Sequence, residues 1–135
     1  EKTLGTNVAV SAAFYEGEVK EAVMRVLSGT ASFRLEDAQS PRDATDFNVT
    51  IEPGNRVFFD VIYRSKKLDP QSVRNHVRRG IEYLNRSAPG ARFVLVSNHQ
   101  LNRQWIEEIR AEHPQITFVA WRSENDDDAL ASAIR

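Results

Sequence analysis

The chain has 135 residues, 41% hydrophobic and 27% charged, and its 18 Lys and Arg against 19 Asp and Glu leave a net charge of −1. That suits a single globular domain over residues 1–135 with a real core, while so balanced a charge says nothing by itself about partners. The absence of cysteine excludes disulfides, a thiolate nucleophile and a zinc–thiolate centre, and no apolar run approaches a membrane span.

Taken in chain order, Ser11 is expected to cap a helix running to about Leu27, with Tyr15, Val19, Ala22, Val23 and Val26 on one stripe and Ser28-Gly29 as its stop. A short strand follows at Phe33 to Leu35, then a polar loop from Glu36 to Asp43. Asp69-Pro70 opens a second helix, because Asp caps well and Pro suits the first turn, and its inward stripe is Val73, Val77, Ile81 and Leu84. Arg92 to Ser97 reads as a buried strand, Leu101 to Glu112 as a third helix, and Ile116 to Trp121 as a last strand. Asp126 or Asp127 is expected to cap a C-terminal helix reaching about Ile134. This order predicts an α/β fold whose mixed sheet combines a hairpin with strand-helix-strand units, flanked by helices on both faces. No signal-peptide pattern opens the chain, so a soluble, cytoplasmic domain without membrane contact is expected. It starts at Glu1 and stops at Arg135, and is expected to be a segment of a larger protein, with that protein's other domains or a second copy as partners.

The segment from Asp46 to Lys67, DFNVTIEPGNRVFFDVIYRSKK, carries the chemistry. It reads as two strands joined by a Pro-Gly-Asn turn. The first alternates, with Asp46, Asn48 and Thr50 on one face and Phe47, Val49 and Ile51 on the other. The second is apolar from Val57 to Tyr63 except for Asp60, as in a central strand buried on both faces. A carboxylate there is costly to bury unless it meets a metal, a cation or several donors. Asp46 can lie across the hairpin from it, and two converging carboxylates can hold a hard divalent cation. The purely structural readings are a turn-capping role for Asp46 and a salt bridge from Asp60 to Arg56, Arg92 or Arg122.

These residues resemble the restriction-endonuclease-like, or PD-(D/E)XK, nuclease superfamily, most closely its Mrr-type branch. Tyr15-Glu16 with Val19, Ala22 and Val23 is similar to the start of that family's first helix. Asp46 falls where its first Asp belongs, Asp60 where its second acidic residue belongs, and Phe93 to Asn98 (FVLVSN) resembles its late strand. The resemblance runs from about Phe14 to Asn98. It implies a Mg²⁺- or Mn²⁺-dependent endonuclease acting on DNA as the effector of a restriction or defence protein, with Asp46, Asp60 and Glu16 as metal ligands together with the Val61 carbonyl.

One position departs from the pattern. Two residues after Asp60 the family has a Lys that places the attacking water; this chain has Ile62. By strand alternation Arg64 and Lys66 fall on the Asp60 face, and Arg74 or Arg78 can reach in from the next helix. Arg stays protonated, so it can balance phosphate charge but cannot accept a proton. Two readings stay open: Lys66 or Arg64 stands in, or the domain is a catalytically silent module that binds DNA or protein. Lys66, Lys67, Arg74 and Arg78 form a basic cluster suited to phosphates, and a solvated helix face is its structural reading. His76, His99 and His113 stand in no ligand spacing and read as surface or capping residues. Ser97-Asn98-His99 lacks a Gly-flanked elbow, and no Gly-rich phosphate loop supports a flavodoxin-like domain.

Overall fold

The computed structural model describes residues 4–29, 32–38, 45–52, 54–66 and 68–134, with side chains from Ser11 onward. Five strands form one mixed sheet in sequential order: β1 (Phe33–Asp37), β2 (Phe47–Ile51), β3 (Asn55–Ile62), β4 (Arg92–Ser97) and β5 (Ile116–Ala120). β1–β2 and β2–β3 pair antiparallel, while β3–β4 and β4–β5 pair parallel. The parallel half follows from the helical crossovers, α2 (Pro70–Ser87) and α3 (Arg103–Glu112), because parallel neighbours need a long connection. α1 (Leu4–Leu27) precedes the sheet and α4 (Asp127–Ile134) ends the chain.

Strand alternation sorts the core into two layers. Phe47, Val49, Val57 and Phe59 pack with Tyr15, Val19 and Val23 of α1 and Leu130 and Ile134 of α4. Phe58, Ile62, Phe93 and Leu95 pack on the other face with Val73, Val77, Ile81 and Leu84 of α2 and Ile109 of α3. Helices therefore cover both faces of the sheet, the α/β arrangement expected. β3 is the middle strand, and its apolar run is buried on both sides; Phe47 and Phe59 stack across it at 4.8 Å. Each such buried ring contributes roughly 1.5–3 kcal/mol.

α2 starts as its sequence dictates. The Asp69 side chain accepts the Ser72 N–H at 3.0 Å, and Pro70 fills the first turn. Two caps differ from expectation. α1 begins at Leu4, seven residues before Ser11, and no proline interrupts that stretch. At the other end Ser123 caps a short 3-10 turn (Glu124–Asp126) that leads into α4. Asp126 and Asp127 are engaged elsewhere, Asp126 by the Arg122 N–H and Asp127 by Arg25 and the Trp121 indole N–H. β1 extends through Glu36 and Asp37, which pair with Asn48 and Phe47, and a charged edge strand of this kind discourages further pairing. Pro53 of the expected turn and positions 39–44 of the expected loop lie outside the described residues. No helix among the described residues is long and apolar enough to cross a membrane.

Candidate active site

The functional candidates gather where the β2–β3 ladder ends. Phe47 opposite Phe59 is the last ladder pair, and one step beyond it Asp46 stands across from Asp60. The Asp46 backbone N–H donates to the Phe59 carbonyl at 2.9 Å. Its side-chain Oδ2 accepts the Val61 N–H at 2.7 Å, so the carboxylate substitutes for the missing next rung. A strand residue's N–H and C=O leave the same edge, which puts the Val61 carbonyl on the Asp46 side as well.

Asp46 is pushed up to about 8, first by burial, then by the negative charge of Asp60 alongside and a hydrogen bond with it. The Val61 N–H works against this shift, and Glu16 adds to it. Burial and the neighbouring charge both favour the protonated form of Asp46. The two side chains thus meet, which a turn-capping role for Asp46 would not require.

Asp60 is 5% exposed and lies on the α2-facing side of β3 with Phe58 and Ile62. Its partner is His76, whose Nδ1 sits 2.9 Å from Asp60 Oδ2. None of the three expected arginines fills that role. Arg56 donates to Asn48, Arg92 reaches the carbonyls of Ala133 and Ile134, and Arg122 lies beyond β5. Sequence reasoning missed His76. The available signal was its position three residues after Val73 and four before Gly80, bordering the inward stripe of α2.

The expected basic residues are dispersed. β3 ends at Ile62, so alternation does not extend to Arg64 and Lys66. The Arg64 guanidinium donates to the Tyr63 carbonyl and to Ser72 Oγ, and its backbone is stitched to Asn98 by bonds of 3.0 and 2.8 Å. His99 Nε2 donates to the same Arg64 carbonyl at 2.9 Å, a loop-bracing role rather than a surface one. Lys66 is exposed in the following bend, and Lys67 lies outside the described residues. Arg74 pairs with Glu108 of α3 at 2.6 Å, turned from the carboxylates. Arg78 is exposed and lines a groove with Ser72, Asn75, His76 and Arg79.

Glu16 sits 3.4 Å from Lys20, which also pairs with Asp37 at 2.5 Å, so its charge is largely answered within α1 and β1. Among the described residues no three His, Asp or Glu side chains are grouped to hold a metal ion. Of the expected ligands, Asp46 and Asp60 are the two that stand opposite each other. That pair fits a magnesium-like cation, which takes one or two carboxylates and keeps water and phosphate oxygens in its remaining positions.

No protein-family model and no curated protein matches the sequence. Among solved structures the chain is similar to "MspJI Restriction Endonuclease in Complex with 27-mer Oligonucleotide", at 16% identity and a TM-score of 0.45. The similarity covers 99% of this chain and 36% of that one, so the chain spans about a third of the length of that neighbour.

Proposed function

We propose that the chain is a divalent-cation-dependent DNA endonuclease domain of the PD-(D/E)XK type, the cutting arm of a larger restriction or defence protein. One observation carries this reading: half-buried Asp46 and buried Asp60 stand opposite each other one step past the end of the β2–β3 ladder. Strand ends are where sheets of this class assemble ligand sites. A buried acid pair is unfavourable without a bound proton or cation, and a cation resolves the repulsion best.

Asp46 and Asp60 would hold Mg²⁺ or Mn²⁺, with the Val61 carbonyl facing the same space. Bound there, such a cation supplies an acidified water and polarises a phosphodiester. The chain's own contribution is positional. The Val61 N–H fixes one oxygen of Asp46, and Asp46 would have to be ionised to ligate a cation. To balance charge on a phosphate, Arg64 would have to leave Ser72 or Lys66 would have to swing in from solvent. Arg78 and Arg79 line the adjoining groove and would track the DNA backbone.

The experiment is direct. Purified protein is incubated with supercoiled and linear DNA in Mg²⁺ or Mn²⁺, then with EDTA. Nicking or linearisation that stops with EDTA and is lost in Asp60→Asn is expected. Cleavage that persists in Asp60→Asn rejects the assignment of the site. A metal-independent gel shift with no nicking favours the silent DNA- or protein-binding module, the reading to which the buried Ile62 points.

A further inference from the structure

The position two residues after Asp60 cannot supply a cation. Ile62 is 1% exposed and belongs to the core layer that includes Leu68, Val73 and Leu101. The nearby basic side chains are committed or distant: Arg64 to Tyr63 and Ser72, Arg74 to Glu108, Lys66 to solvent past the end of β3. His76 alone among these touches an acid of the site. Its Nδ1 lies 2.9 Å from Asp60 Oδ2, and its side chain is 25% exposed against 7% for that of Asp60.

Resting on the nuclease reading above, we propose that His76 is the positioning residue of Asp60, supplied by α2 in place of a basic residue on β3. A carboxylate oxygen accepts, so the bond requires the proton on Nδ1 and leaves Nε2 without it in the neutral ring. That bond removes the rotational freedom of the Asp60 carboxylate and leaves its other oxygen available to a ligand. Partners that hold a ligating carboxylate in this way set metal affinity without touching the ion. The ring also lines the groove formed with Asp69, Ser72, Asn75, Arg78 and Arg79 on α2.

The test is calorimetric titration of Mn²⁺ into wild type, His76→Leu and His76→Asn, with the wild-type ring tautomer read by ¹⁵N NMR. Asn can place an amide N–H where Nδ1–H stands; Leu cannot. His76→Leu is expected to weaken Mn²⁺ binding by about 10–100-fold, with His76→Asn recovering most of it. The wild-type ring is expected to carry its proton on Nδ1. Mn²⁺ binding in His76→Leu equal to wild type, His76→Asn no better than His76→Leu, or an Nε2–H ring would each overturn the role of His76 while leaving the nuclease reading intact. Wild-type protein that neither binds Mn²⁺ nor cuts DNA would overturn both. Should His76→Leu not fold, the Asn variant and the ring tautomer still decide.

Discussion

Asp46 and Asp60 face each other one step past the end of the β2–β3 ladder, and burial together with the charge of Asp60 pushes Asp46 up to about 8. The same carboxyl group accepts the Val61 N–H, so a backbone donor and a second acid compete for its charge state. This arrangement makes the site sensitive to pH, to metal and to amide substitution in separable ways.

Raising the Asp46 value from 3.8 to about 8 means that the folded state keeps a proton the unfolded state has released. Stability therefore falls as pH rises from about 4 to about 8 and levels off above that. Asp46→Asn, which can keep both the donor toward Asp60 and the acceptor for Val61, should abolish this slope and exceed wild type in stability at pH 9. Urea midpoints at pH 5 and 9 measure it. A wild-type midpoint unchanged across that range would contradict the raised value of Asp46.

Cation binding should release about one proton below pH 8, because the carboxyl of Asp46 must ionise first. Mn²⁺ affinity is expected to rise up to tenfold per pH unit below 8 and to flatten above it. Calorimetry in two buffers of different ionisation enthalpy gives the proton count. A count of zero at pH 6.5 would place the ion elsewhere.

Placing a lysine at position 62 should harm the protein. Ile62 is part of the α2-side core, and an ammonium there loses its water without a guaranteed partner. Ile62→Lys is expected to lose about 3 kcal/mol of stability, a typical cost for disrupting a buried aliphatic site, while Ile62→Met stays within about 1.5 kcal/mol. Thermal melting compares them. A lysine variant as stable as wild type would show that the chain can reach past the core to the acids.

At Gly80, α2 lies directly against the Phe93 ring of β4. A Cβ built there would lie 2.5 Å from Cζ of the buried Phe93 ring. Gly80→Ala should destabilise by about 1 kcal/mol even though alanine favours the helix, because overpacking costs roughly 1–3 kcal/mol and the helix gain is at most about 1. Denaturant midpoints of the Ala and Val variants, with Val worse, provide the check.

Among the arginines of α2, only those free of a partner acid should matter to DNA. Arg78→Ala is expected to weaken DNA binding and to reduce the salt slope by about 1, whereas Arg74→Ala, already paired with Glu108, should change it little. Filter binding across a salt series distinguishes them. Equal effects would mean that the Glu108 pair opens when DNA arrives.

Much of this molecule was readable from local chemistry. The Asp69-Pro70 start, the Val73-Val77-Ile81-Leu84 stripe, the β4 apolar run and the hairpin all depend on neighbours within a few residues, where period and capping act. A lone acid inside the apolar run Val57 to Tyr63 likewise announced Asp60 as unusual, because burial of charge is costly wherever the strand ends up. Tertiary packing decided the rest. Alternation stops when a strand stops, so Arg64 turned to Ser72 once β3 ended at Ile62. The partner of Asp60 depended on how α2 is rotated against β3, and that phase brought in His76 from sixteen residues away rather than any of the expected arginines. Arg74 was claimed by Glu108 on a helix that comes beside it only after folding. Pairings of this kind are set by the relative placement of whole elements, a quantity that hydrophobic spacing along one element does not encode.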